Sequence, residues 1–281
     1  MTLTTQPQCN SLKSLTVPSL GQVAYREVGN PKLTPLVLLH GVGMQSAAWG
    51  PQLDAFSDKH HVFALDLPGH GGSDPLPKGA GLAEFVGWLH AVLSHLKLGP
   101  VNLAGHSMGA LIAGGYAVTH PNMVARVALL NGVFLRTDAA RAAVEARADE
   151  ILDGQFDLET PLVRWFGPSA FEQKICAQVS GWLSSVDPGG YATAYGAFAR
   201  GDALYADRFA GLTAPLLALT GADDPNSTPE MSAAMADRAR NGQAVVINGH
   251  RHMVNLTAPD QVNSALATWL LRPLEERQSD E

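Results

Sequence analysis

The chain predicts an α/β protein, a mostly parallel sheet with helices packed on both faces. Short, continuous apolar runs such as Pro35-Leu36-Val37-Leu38-Leu39 match strands buried on both sides. Stretches with apolar residues at helical spacing separate them. The runs end in loops rich in Gly, His, Asp and Ser, the chemistry-bearing end of such a sheet. At 281 residues, the chain is long enough for one large core with an inserted subdomain.

Residues 1–10 read as a loose tail. Thr16-Val17 and Gln22 to Val28 alternate weakly around Pro18 and Gly21, which predicts a hairpin of two edge strands. Pro35 to Leu39 is a buried strand running into His40-Gly41-Val42-Gly43, and Ser46 to Ser57 is helical. Val62 to Leu65 is the next strand, followed by the loop Asp66-Leu67-Pro68-Gly69-His70-Gly71-Gly72-Ser73-Asp74. Leu82 to Leu96 has helical periodicity. Val101 to Gly105 predicts a strand, Gly109 to Val118 a helix stopped before Pro121, and Arg126 to Leu130 a strand closed by Asn131-Gly132.

The alternation then breaks. Helical stretches are expected over Asp138 to Leu152, Thr160 to Phe166, Ser169 to Leu183 and Gly190 to Ala199. An insertion of roughly 75 residues is too long for a loop. It divides the chain into a core, residues 11–132 and 213–273, and a helical cap, residues 133–212. Pro215 to Thr220 resumes the sheet, Thr228-Pro229 opens a helix to Ala239, Ala244 to Ile247 is the last strand, and Pro259 to Leu271 the last helix. The tail after Pro273 is expected to fray.

Hydrophobic residues make up 46 % and charged residues 16 %, a composition that excludes a disordered chain. The net charge of −7 with no Lys/Arg cluster excludes a nucleic-acid partner. The two cysteines, Cys9 and Cys176, offer neither metal spacing nor a disulfide framework, and suit a reducing compartment. Residues 1–10 lack the basic and apolar segments of a signal peptide, and no run reaches the ~20 apolar residues of a membrane span. These features predict a cytoplasmic protein that binds neither membrane nor nucleic acid and takes a small-molecule substrate.

The chemistry centres on Gly105-His106-Ser107-Met108-Gly109, a G-x-S-x-G nucleophile elbow between strand and helix. Ser107 is expected in a strained conformation at the tip of the turn, with its hydroxyl projecting from the sheet. A Cβ at Gly105 or Gly109 would collide with the neighbouring strand or helix. A serine needs a base. Among ten histidines, His40, His106, His250 and His252 lie just past strand ends. The order Ser…Asp…His requires a late one, so His250 or His252. An acid must orient it, and Asp223 or Asp224 stands past the preceding strand. Asn131 occupies the other place such an acid can sit but carries no charge. The oxyanion needs two backbone donors, expected from Met108 N–H and, in the glycine turn, Val42 N–H.

His40-Gly41-x-Gly43, Asp66-x-Pro68-Gly69-His70-Gly71-x-Ser73, the elbow, Gly221-x-x-Asp224 and Gly249-x-x-His252-Met253 occur in the order seen in the α/β-hydrolase superfamily, which the chain resembles from about Val23 to Leu271. The resemblance implies a mostly parallel eight-stranded sheet with a helical cap after strand six. Its spacings select Asp224 over Asp223 and His252 over His250. It implies a structural role for the Asp66 to Ser73 loop. Haloalkane dehalogenases and epoxide hydrolases of this fold carry an aspartate at the elbow, which Ser107 excludes. In style the sequence is closest to small-molecule esterases, lactonases and enol-lactonases.

The function expected is therefore a serine hydrolase of carboxylic esters or lactones of a small, largely apolar substrate, with no metal or organic cofactor. Three other readings compete: C–C bond hydrolysis of a diketo acid, acyl or peracid transfer, and a ligand receptor of the same fold with an idle triad. The pocket is expected under the cap, lined by Val42, Met44, Met108, Phe134, Trp165, Phe166, Trp182, Tyr191, Tyr195 and Met253. Arg136, Arg164 and Arg200 are candidates for holding a substrate carboxylate.

Overall fold

In the computed structural model, which describes residues 11–274, one eight-stranded sheet runs in the order β1-β2-β4-β3-β5-β6-β7-β8. Its strands are β1 (Lys13–Val17), β2 (Gly21–Val28), β3 (Pro35–Leu39), β4 (His61–Leu65), β5 (Val101–His106), β6 (Val124–Leu130), β7 (Leu216–Gly221) and β8 (Gly242–Ile247). β1 and β2 form the expected antiparallel hairpin, but only β1 is an edge, because β2 also pairs antiparallel with β4. All pairings from β4 onward are parallel. The tail expected over residues 1–10 and the fraying expected past Pro273 fall outside the described residues, Leu274 apart.

The helices are α1 (Gly50–Phe56), α2 (Leu82–His95), α3 (Met108–Thr119), α4 (Asp138–Leu152), α5 (Glu159–Trp165), α6 (Ala170–Ser185), α7 (Pro188–Arg200), α8 (Pro229–Arg238), α9 (Val254–Thr257) and α10 (Pro259–Leu270). Because β3 to β7 are buried on both faces, their apolar side chains feed two cores. Val37, Leu39, Leu103 and Val127 pack with α2 and α3 on one side. Leu36, Leu38, Ala104 and Leu217 pack with Trp49, Leu53 and Trp269 on the other. No helix among the described residues is long and apolar enough to cross a membrane.

Helices α4 to α7 occupy the chain between β6 and β7, where the insertion was expected. Their starts follow from local chemistry. Thr137 Oγ1 accepts from Ala140 N, Ser169 Oγ from Glu172 N, and Asp187 Oδ1 from Gly190 N, each satisfying an amide the helix leaves unpaired. Thr228 sits at the cap position of α8 but makes no capping bond.

Strand order reverses at the centre of the sheet: β4 lies on one side of β3, and β5 on the other. A crevice opens there at the carboxyl ends of the strands, the usual ligand position in an open α/β sheet. The loops after β3 and β5 flank it, and they carry Gly41-Val42-Gly43 and Ser107.

Candidate active site

Ser107 stands between β5 and α3 with φ 55° and ψ −114°, the strained conformation expected at the elbow. The flanking glycines make it possible. A Cβ on Gly105 would strike the Gly109 carbonyl, and one on Gly109 the Leu39 carbonyl. The turn therefore sits against two backbones with no room for a side chain. Ser107 is held by its N–H to the Leu130 carbonyl (2.9 Å), while its Oγ makes no hydrogen bond to another described residue.

Past β7 and β8 the two polar candidates separate clearly. Asp224 is buried and Asp223 exposed, because the Asp223 N–H pairs with the His250 carbonyl (3.0 Å) and the chain turns Asp224 inward. Asp224 Oδ2 accepts from His252 Nδ1 (2.7 Å) and Asn131 Nδ2 (2.8 Å). Its Oδ1 accepts from the N–H groups of Asn226 and Ser227 (2.9 and 3.2 Å). Burial pushes this carboxyl up, but the adjoining His252 and the hydrogen bonds from His252, Asn131 and Asn226 outweigh it and hold the pKa below the usual range. His250 instead bonds Thr257 Oγ1 (3.0 Å). His252 is buried, with Trp165 stacked 5.8 Å away. Its Nδ1 is fixed on Asp224, and Nε2 is left as the free ring nitrogen.

Two further histidines brace this arrangement. His106 is buried beside Ser107 and donates through Nε2 to the His252 carbonyl (2.8 Å), with burial driving its pKa down to about 3. His70, in the loop after β4, accepts from Gly43 N–H through Nε2 (2.9 Å) and so pins the glycine turn. In the same loop Asp66 takes the N–H groups of Ser46 and Gly72. The structural role expected of residues 66–73 is what these bonds describe.

Ser107 and His252 open onto one cavity of about 720 Å³ between the strand ends and α4, α5 and α7. Of the predicted lining residues, Val42, Met44, Trp165, Tyr191, Tyr195 and Met253 line it; Met108, buried, begins α3 with its backbone N–H beside Ser107. Phe134, Phe166 and Trp182 do not line it. Phe134 turns into the core 5.1 Å from Phe209, beneath the guanidinium of Arg238. Phe166 is buried in the same core, its carbonyl accepting from Arg251 (2.8 Å). Trp182 belongs to α6, which packs toward α9 and contributes nothing to the cavity wall. Arg136 and Arg164 line the cavity, whereas Arg200 is exposed and paired with Asp149 at 2.8 Å. α4 supplies a further wall, one not expected from sequence. Ala140, Ala143, Val144 and Arg147 follow a helical stripe, and that spacing was the available signal.

A strained serine at a sheet switch point faces a cavity that also holds a buried carboxylate–imidazole pair. The profile of the α/β-hydrolase fold matches residues 34–259, and the chain belongs to that family and is a hydrolase. It is 55 % identical, over 84 % of its own length and 90 % of the relative's, to an (E)-2-((N-methylformamido)methylene)succinate hydrolase of Acinetobacter baylyi. Among solved structures it resembles a thermophilic esterase from Thermogutta terrifontis (TM-score 0.81, 26 % identity, 92 % and 98 % of the two chains). It also resembles an enol-lactonase from Burkholderia xenovorans in fold (TM-score 0.81, 22 % identity, 92 % and 100 %).

Proposed function

We propose that the chain is a serine hydrolase that splits an acyl bond of a small dicarboxylate through an acyl-enzyme intermediate. The observation that carries this is the buried Asp224–His252 pair, 2.7 Å apart, on the same cavity as the strained Ser107. In this reading His252 Nε2 takes the Ser107 proton as Oγ attacks the acyl carbon. The Val42 and Met108 N–H groups hold the oxyanion. The proton then passes from His252 to the leaving atom, and water repeats the cycle to release the acid. Residues 133–212 act as a cap that closes the pocket over Ser107 and keeps bulk water away.

The choice of bond rests on the Acinetobacter baylyi relative, whose name describes a succinate bearing an N-methylformamido-methylene group. Such a molecule offers one formyl carbon to a nucleophile. Attack there breaks the C–N bond, and the departing nitrogen is conjugated through the alkene to a carboxylate, which makes it a better leaving group than a simple amine. The three arginines on the cavity wall suit a dianion better than the largely apolar substrate expected from sequence. The test is incubation of the purified enzyme with (E)-2-((N-methylformamido)methylene)succinate and assay for formate. One formate per substrate consumed is the expected result. Turnover of p-nitrophenyl esters with no formate from this compound would move the assignment to ester chemistry.

A further inference from the structure

Trp165 and Arg251 join the cap to the loop that carries His252, and neither takes part in the proton transfers. Trp165 is the last residue of α5 and lines the cavity. Its indole is stacked on the His252 ring, with centres 5.8 Å apart and planes inclined by 25°. Arg251, the residue before His252, reaches the same helix. Its Nη1 donates to the carbonyl oxygens of Val163 and Phe166 (2.8 Å each), which flank Trp165 in the chain.

The end of α5 explains why Arg251 is held there. One more helical turn would bring the Gly167 N–H to the Val163 carbonyl, but that N–H donates to Glu172 Oε1 instead (3.0 Å). Arg251 supplies the donor that the helix end lacks, and a cation is favourable at a helix C-terminus. Its backbone is fixed as well, because its carbonyl accepts from Asn131 Nδ2 (3.4 Å), the amide that also bonds Asp224. Arg251 therefore spans from the Asp224–Asn131 cluster to the helix that carries Trp165.

His252 gains a positive charge when it takes the Ser107 Oγ proton. Asp224 meets that charge at Nδ1 (2.7 Å). His106, with its ring centre 5.0 Å away and tilted by 58°, is kept neutral by burial and supplies no countercharge. Trp165 offers the face of an indole, the aromatic ring that attracts a cation best within about 6 Å. We propose that Trp165 is a positioning residue for the base: its indole holds the His252 ring and stabilises the imidazolium formed as Ser107 attacks, and Arg251 sets the indole there by capping α5. The inference rests on the Ser107–His252 reading and adds two residues to it.

The test is inactivation of the full chain by diisopropyl fluorophosphate at one fixed pH, resolved into a limiting rate and a half-saturating concentration. Fluoride leaves phosphorus as Ser107 Oγ bonds to it and the Oγ proton passes to His252, so the limiting rate reads the imidazolium without any substrate. Trp165→Leu should lower the limiting rate about 3- to 30-fold and leave half-saturation within about twofold. Trp165→Phe keeps an aromatic face and should stay within about threefold of wild type. Arg251→Gln should lower the limiting rate about 3- to 10-fold, and the double variant should be no slower than Trp165→Leu alone, because Arg251 acts through the indole. Arg200→Gln, outside the cavity, should react as wild type does. A side chain that only touched the reagent would move half-saturation and spare the limiting rate; that result at Trp165→Leu overturns the proposal. So does Trp165→Phe as slow as Trp165→Leu, or a double variant in which the two losses multiply. Circular dichroism checks that Trp165→Leu is folded. If it is not, Arg251→Gln decides: a lowered limiting rate supports the proposal, and an unchanged one overturns it. A wild type that the reagent leaves active refutes the nucleophile and the proposal together, a failure distinct from inactivation that is equal in wild type and variants.

Discussion

Asp223 and Asp224 are neighbours in sequence, yet one is exposed and the other closes a hydrogen-bonded ring with His252, Asn131, Asn226 and Ser227. Residue type alone left both open, as it left His250 and His252; the motif spacing separated them, and burial gives that spacing a cause. Asp224→Asn keeps the shape but presents an amide to His252, favouring the wrong tautomer and removing the charge that stabilises imidazolium. The expected loss in kcat is roughly 10⁴-fold, against less than about tenfold for Asp223→Asn. Steady-state kinetics of the two variants check it, and a larger loss at Asp223 contradicts the assignment. Asn131, set aside in the sequence because it is uncharged, turns out to donate to the Asp224 oxygen that also accepts from His252. Arg136 was legible as an arginine near the pocket but not as a buried one, because its partner Asp202 arrives only with the fold.

At the scale of the element, the elbow is the part most completely written in the sequence. Gly105 and Gly109 are required because backbone carbonyls stand where their Cβ atoms would be, and the five-residue pattern encodes that crowding directly. Gly109→Ala should therefore destabilise by about 2 kcal/mol or more, since a carbonyl of β3 must shift. Gly87, exposed in the middle of α2 with open space around it, supplies the control. There Gly87→Ala should stabilise by about 0.5–1 kcal/mol through helix propensity. Urea unfolding midpoints of both variants give the comparison, and a neutral Gly109→Ala would contradict the packing described. The insertion was less legible. Its helices were placed to within two residues, because periodicity and capping residues mark them. Which face of each turns toward Ser107 depends on how they pack on one another. For that reason Phe134, Phe166 and Trp182 lie off the cavity, and the small residues of α4 form its wall.

For the whole molecule, the sheet order and its switch point follow from the alternation of buried runs and helices, so the fold and the location of the crevice were readable early. What the sequence hides is how many histidines the fold buries uncharged. His40, His70 and His106 are all buried, and burial lowers the pKa of each, that of His106 to about 3. The unfolded chain takes up protons at these residues as pH falls through about 6.5, while the native state declines them. Stability therefore decreases as pH drops below about 6.5, by up to about 1.4 kcal/mol per pH unit for each such group. Asp224 acts in a separate window. Its lowered pKa adds stability above the ordinary carboxylate range that is lost only as pH falls through its native value. Urea unfolding between pH 8 and pH 5.5 separates the histidine effect from that of the carboxylates. Stability that stays flat over that range would mean the three rings are not held neutral.

Peptide mass spectrometry of the full chain after reaction with a fluorophosphonate shows whether Ser107 is the nucleophile. A single covalent adduct is expected on the peptide carrying Ser107, with labelling abolished in Ser107→Ala and slowed in His252→Ala. A protein that turns over substrate while Ser107 stays unlabelled, or that carries the adduct on another residue, would contradict it.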